Sequence, residues 1–173
     1  LTAAVNWTYD PSPSTFDIKY ALYYPTVRIG GTLSEQLGPN QTINHNLLMG
    51  YFRGNTSQSV TLYYNPPACL RIIDYEIEAE NIMLPLYIRE VSKLSSTEWV
   101  LNEPQAQPPA YLYQPEPNPN WCYYFEKADL ARQFGDWETV VDIAAIAFEL
   151  EDSPNDPAEK LPFIEGYAHT GDW

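Results

Sequence analysis

The chain has 173 residues, 45% of them hydrophobic, which is enough for one ordinary domain, or a domain and a small satellite, and too much for a disordered segment. Its 23 acidic and 9 basic residues give a net charge of −14, which repels phosphate backbones and anionic membrane surfaces and argues against nucleic acid as a partner. No apolar run approaches the roughly 20 residues that cross a bilayer, and no charged segment leads into an apolar one at the start, so what is present is expected to be soluble.

In chain order, residues 1–19 open with a short apolar segment before the turn-forming DPSPS, which reads as one strand and a loop. Tyr20 to Ile29 is aromatic and β-branched, with Pro25 marking an edge strand or a break. Residues 30–46 read as a polar connection. Leu47 to Phe52 and Ser59 to Tyr64 are apolar runs whose intervening Gly54-Asn55 supplies hairpin-turn chemistry. Pro66-Pro67 ends the second run before Cys69 to Asp74, a short buried-type strand. Leu84, Ile88, Val91 and Leu94 then recur at helical spacing, which predicts a helix from about Pro85 to Ser95. Thr97 to Leu101 reads as a last strand.

Residues 104–119 contain six prolines and no periodicity, so 104–120 is expected to be a semi-rigid extended linker. The rest, 121–173, is the acidic part, with 12 acids and 3 bases against 10 and 6 in 1–103. One helix is expected from Trp121 to Phe134, closed by Gly135, and Asp136 caps a second from Trp137 to about Leu150. Tyr124, Ala128 and Ala131 form one stripe of the first helix; Val140, Val141, Ala144 and Phe148 form one face of the second. Asp156-Pro157-Ala158-Glu159 reads as the start of a third helix, kinked or delayed by a turn at Pro162.

The tripeptide Gly-Asp-Trp occurs at Gly135, Asp136, Trp137 and again at Gly171, Asp172, Trp173, thirty-six residues on, after an apolar, Ala-containing run each time. Self-similarity at such a period marks helix-turn-helix repeats. With Ala147 and Tyr167, these residues resemble the tetratricopeptide repeat. Ala131 departs from it by standing where that repeat usually has Tyr, no Pro closes the first copy, and the spacing is two residues long. The chain opens on Leu1 and closes where a repeat would begin its next helix, so both ends are expected to continue into a longer protein.

Across most of its length the chain is also similar to the soluble C-terminal region of bacterial polytopic membrane proteins, some of them like glycosyltransferases that use lipid-linked sugars. The segments LTAAVNW, ALYYPTVRIG, FRGNTSQ, YYNPPACLRIID, WCYYFEKADLARQFGDW and SPNDPAEKLPFIEGYAHTGDW carry that resemblance. It implies an extracytoplasmic location, with membrane attachment only through transmembrane helices outside this sequence, and it carries over no catalytic residue.

Among candidate site residues, Asp74, Glu76, Glu78 and Glu80 alternate, so an extended backbone would line four carboxylates on one side, oxygen ligands of the kind calcium prefers. A solvated face explains the same pattern without a metal. Tyr63, Tyr64, Trp99, Tyr111 and Tyr113 have the surfaces that stack on sugar rings or partner side chains, and the competing reading is that they are core. Cys69 and Cys122 would pair outside the cytoplasm and be two buried thiols inside it. His45 in a polar loop and His169 near a helix end lack metal-ligand spacing, and the Asn-x-Ser/Thr sequons at Asn6, Asn40 and Asn55 agree with polar turns. No serine-hydrolase, P-loop or dinucleotide motif occurs, and no cofactor is expected.

The sequence thus leads to an α+β or α/β fold: a small mixed sheet with one or two helices over 1–103, the linker, and a tetratricopeptide-like helical hairpin over 121–173. The expected function is a non-catalytic, extracytoplasmic interaction module of a membrane protein, with a protein or the parent membrane domain as partner. The alternative is an acceptor- or sugar-recognition domain of a membrane glycosyltransferase, with a glycan as ligand.

Overall fold

The computed structural model describes residues 2–11, 17–22, 38–47, 50–101, 106–114 and 118–172. The fold is α+β, with a three-stranded and a two-stranded sheet and seven α-helices among the described residues. The chain divides into two units, Leu1–Ser59 with Leu94–Glu116, and Val60–Lys93 with Pro117–Trp173. The expected boundary at 103–121 is therefore not where the packing divides. Residues 60–93 belong with the C-terminal helices because a disulfide, a buried carboxylate and a buried ion-pair network join them.

The first unit starts with helix α1 (Thr2–Tyr9) in place of the expected strand. The Asn6 side chain ties this helix to the segment after β1 (Asp17–Ile18): Nδ2 donates to Tyr20 O at 2.7 Å, and Oδ1 accepts from Tyr20 N and Lys19 N. Strands β2 (Thr42–Leu47) and β3 (Gly50–Asn55) pair antiparallel, from Thr42 opposite Asn55 to Leu47 opposite Gly50, and β1 joins β3 in parallel. The hairpin thus lies one strand earlier than its Gly54-Asn55 signal implied. Strand β2 is polar in composition, but its exposure alternates, with Ile43 and His45 turned to the half-buried side. His45 is accordingly in a strand, its ring stacked on Phe52, the residue opposite.

Thr56, buried just beyond β3, donates through its hydroxyl to Gly38 O and accepts from Gln41 N, closing the hairpin's open end. The anticipated strand at 97–101 is a 3-10 turn, Thr97–Trp99, whose cap Ser96 accepts from Glu98 N. Within the expected linker, helix α4 (Ala110–Tyr113) forms one turn behind Pro109. The strand expected at 20–29 lies, from residue 23 on, outside the described residues, as does Trp173.

In the second unit, β4 (Thr61–Tyr63) pairs antiparallel with β5 (Arg71–Ile73). Helix α2 (Tyr75–Glu78) follows, its first turn capped by Asp74, which accepts from Glu76 N at 2.8 Å, and then α3 (Leu86–Ser92), inside the span that apolar spacing predicts. Ile73, Leu84 and Ile88 close a small core with Tyr63 against it.

Helix α5 (Trp121–Gln133), capped by Asn120, turns at Gly135 into α6 (Trp137–Ala147). Gly135 has φ 69°, the left-handed conformation that a side chain would strain. A 3-10 turn (Pro157–Lys160), capped by Asp156, leads into α7 (Leu161–Thr170), so Pro162 delays the α-helix by one turn, as its position requires. Helix α6 packs on both α5 and α7, and α5 also touches α7. Trp121, Phe125, Val140, Ala144, Ala147 and Phe163 are fully buried between them, and each large side chain contributes about 1.5–3 kcal/mol. Phe163 meets Trp121 and Phe148 edge to face and Phe148 is tilted on Trp121, at centroid distances of 5.3–5.7 Å. Gly166 lets α7 approach α6 closely, since a Cβ there would lie 2.6 Å from Cγ1 of Val140.

Candidate functional site

The two Gly-Asp corners of the second unit border one open groove of about 720 Å³. Its walls are the start of α6, with Asp136, Trp137, Glu138, Val141 and Asp142, and the end of α7, with His169, Thr170 and Asp172. The geometry follows from local sequence. Gly135 and Gly171 both adopt left-handed φ, so each corner reverses tightly. Asp136 then caps α6, accepting from the Thr139 amide at 3.2 Å and its hydroxyl at 2.7 Å. That cap orients the first turn of α6, and Trp137 lies flat on His169, ring centroids 4.0 Å apart and planes within 5°.

Among the described residues, four carboxylates and no Lys or Arg line the groove. Among the described residues, none of the four takes part in an ion pair. The hydroxyl of Thr170 donates to Gly166 O at 3.1 Å, so it serves its own helix. The arrangement offers an acidic trough with a planar aromatic wall, suited to holding a cationic or polar surface and lacking a nucleophile paired with a base.

A second polar centre is buried. Arg132 and Asp129, both on α5, form an ion pair at 2.7 Å; Arg132 also approaches Glu78 and Glu165 at 3.5 and 3.4 Å, and Glu78 pairs with Arg71 and accepts from Asn81. Gln133 donates to the carbonyl of Ile72 in β5 and to Asp129. Burial pushes the Asp129 carboxyl above its usual range, although Arg132 and Arg71 oppose this. Burial also works against the charge on Arg132, but Asp129, Glu165 and Glu78 outweigh it and hold its pKa up. Asp129, Arg132 and Glu78 are buried while Glu165 is partly exposed, and among the described residues Arg132 Nε and Gln133 Oε1 are buried without a hydrogen-bond partner.

A third buried group is Glu159, 2% exposed. One oxygen accepts from Cys69 N at 2.9 Å, and the other accepts from Trp121 Nε1 at 2.8 Å and Asn155 N at 3.2 Å. It holds together the neighbours of the disulfide between Cys69 and Cys122, whose Cα atoms are 5.2 Å apart. Closing a loop of 53 residues stabilises by about 4 kcal/mol on the chain-entropy account.

The carboxylates at 74–80 do not converge, because the backbone there is a helical turn. Asp74 is the cap, Glu76 and Glu80 face solvent, and Glu78 points inward to Arg71 and Arg132. Among the described residues no group of three His, Cys, Asp or Glu side chains is placed to hold a metal ion. The aromatic candidates fall in both units. Tyr63 packs on the small core of the second unit and Tyr64 is exposed beside it in sequence; Trp99, Tyr111 and Tyr113 are exposed in the first unit.

Of the repeat residues, Gly135, Asp136, Trp137 and Asp172 line the groove directly, and Gly171 forms the corner that leads into it. Sequence reasoning missed Glu138, Asp142 and His169 as groove residues. The available signals were the four-residue spacing of the two acids, which puts them on one helix face, and the position of His169 just before the second corner. Comparison with protein-family models, curated proteins and solved structures finds no match.

Proposed function

We propose that this chain is a non-catalytic interaction module from the extracytoplasmic part of a membrane protein, and that it works through the groove at its two Gly-Asp corners. The observation that supports this reading is the groove itself: a solvent-open trough lined by four carboxylates, none of which forms an ion pair among the described residues, beside the Trp137–His169 stack. An exposed charged surface with an aromatic face is of the kind that contacts a partner. The disulfide accords with an oxidising compartment. Sugar recognition has less to support it, because Tyr63 packs on the small core of its own unit and none of the candidate aromatics lines the groove.

The test is site-specific crosslinking in intact cells of the native host, with benzoylphenylalanine replacing His169 in the groove or Glu149 just beyond the C-terminal end of α6. A discrete protein adduct from position 169 and none from 149 supports the reading. Equal yields at the two positions, or none at either, refutes it.

A further inference from the structure

We infer that the tip formed by Ile82, Met83 and Leu86 inserts into a lipid bilayer whose headgroups are zwitterionic and carry an ammonium. The tip shares no residue with the groove, so this goes beyond the interaction-module reading and stands or falls separately. Ile82 and Met83 are 82 and 85% exposed, and Leu86 is 65% exposed. Side chains so bare touch little of their own protein and project from it. The fold has no use for them there, because Leu84, 3% exposed, supplies this stretch's contact with Ile73 and Ile88. A turn ahead of a helix is ordinarily polar, and baring neighbouring aliphatic side chains to water is unfavourable.

The projection is also held in shape. Asn81 accepts from Met83 N at 3.0 Å through its side chain and from Leu84 N at 3.2 Å through its carbonyl, and its Nδ2 donates to the buried Glu78. Pro85 then fixes the entry to α3. A tip shaped in advance loses little freedom on insertion.

Size and charge select the occupant. Three side chains fall far short of the roughly 800 Å² per partner that a stable protein interface buries, and a second copy would add another −14 of charge. A fluid acyl layer receives a projection without a matching pocket, and aliphatic side chains partition into it. Glu76 and Glu80, which precede the tip, face solvent, and the exposed cation at the end of α3, Lys93, is paired with Glu90 at 2.8 Å. Such an acidic approach repels anionic lipid and complements the ammonium of a zwitterionic one. The exposed rings of Tyr75 and Tyr87 suit the same headgroup layer.

The experiment measures co-sedimentation of the oxidised chain with phosphatidylcholine and with phosphatidylglycerol vesicles. In parallel, amide broadening of the isotopically labelled chain is recorded in phosphatidylcholine bicelles doped with an acyl-chain nitroxide lipid. Broadening confined to 81–87 is expected, with stronger partition into phosphatidylcholine than into phosphatidylglycerol. The partition coefficient is expected to fall at least tenfold in I82S/M83S and less than twofold in L161S/I164S, which removes exposed aliphatic side chains from α7 instead. No partition into phosphatidylcholine, broadening centred elsewhere, equal losses in the two double variants, or tighter binding to phosphatidylglycerol would each overturn the inference. A discrete protein adduct from benzoylphenylalanine at position 83 in intact cells would also overturn it, assigning the tip to a protein. None of these results bears on crosslinking at position 169, which tests the groove alone.

Discussion

Removing the Glu159 carboxylate tests whether this buried group, with three N–H donors and no cation among its hydrogen-bond partners, holds the second unit together. Glu159→Ala strands the amide of Cys69 and the indole of Trp121, both in residues 2% exposed; the third donor, on Asn155, belongs to an exposed residue that water can reach. Each buried donor left without an acceptor costs about 1–3 kcal/mol, so the two together cost about 4 kcal/mol. In a chain of this length that lowers Tm by about 8–16 °C. Glu159→Gln keeps one carbonyl oxygen but sets its NH2 group against a donor, so about half that loss is expected. The assay is urea unfolding of the oxidised chain followed by far-UV ellipticity, with hydrogen exchange at the Cys69 amide and Trp121 indole locating the loss. A double-mutant cycle of Glu159→Gln with Trp121→Phe should give a coupling of about 1–2 kcal/mol. Stability of Glu159→Ala within about 0.5 kcal/mol of the parent would show that water replaces the carboxylate and that the group is not structural.

The remaining predictions concern the same unit. Replacing Cys69 and Cys122 together by Ser should lower stability by about 4 kcal/mol, read as a fall in Tm of about 10 °C; equal urea midpoints for the oxidised and reduced chains would refute this. Gly166→Ala puts a methyl group 2.6 Å from Val140 Cγ1 and should cost about 1–3 kcal/mol, with less than half that cost in a Val140→Ala background; an equal cost in both backgrounds would place the strain elsewhere. Because the folded Asp129 carboxyl has a raised pKa, the native state binds more protons than the unfolded state just above the ordinary 3.8. This contribution is therefore fully present below 3.8 and is lost as pH rises through the folded value. Urea midpoints of the parent should fall relative to those of Asp129→Asn across that window and then run parallel, and a difference that is flat or of opposite slope refutes the assignment.

The C-terminal helices were legible because every boundary carried its own chemistry. Asn120 and Asp136 cap, Gly135 and Gly171 turn, and Pro162 shifts the last start by a turn. The N-terminal part was less legible. Strand β2 presents Thr, Asn and His to solvent and its partner, and only the alternation of Ile43 and His45 marked it as a strand. The acids at 74–80 alternate as a strand face would, yet Asp74 captures the amide of Glu76 and starts a helical turn, a local hydrogen bond that outweighs the period-two pattern. Arg132 and Asp129 gave no sign of burial, since i,i+3 opposite charges ordinarily mark a solvated face. Their burial depends on Glu78 and Arg71, more than fifty residues away in sequence, and no window along the chain contains both halves of the network.

That network, the disulfide and Glu159 together explain why the second unit is assembled from two separated stretches. A helical hairpin that stacks on neighbours leaves the outer side of its first helix uncovered, and solenoids meet this with a terminal cap. Here α5 carries Cys122, Asp129 and Arg132, and segment 60–93 supplies the partners Cys69, Glu78 and the Ile72 carbonyl that reaches Gln133. The strand pair and α2 thus supply partners to α5 from a separate stretch of the chain. Asp129 and Arg132 on α5 pair with each other and with Glu78 from 60–93, whereas among the described residues Glu138 and Asp142 on α6 form no ion pair. Acid residues on adjacent helices of one small unit are therefore treated in opposite ways: Asp129 is matched internally, and those at the corners are left open to solvent. Selection for stability alone accounts for the first pattern and leaves the second to be explained by what the groove contacts.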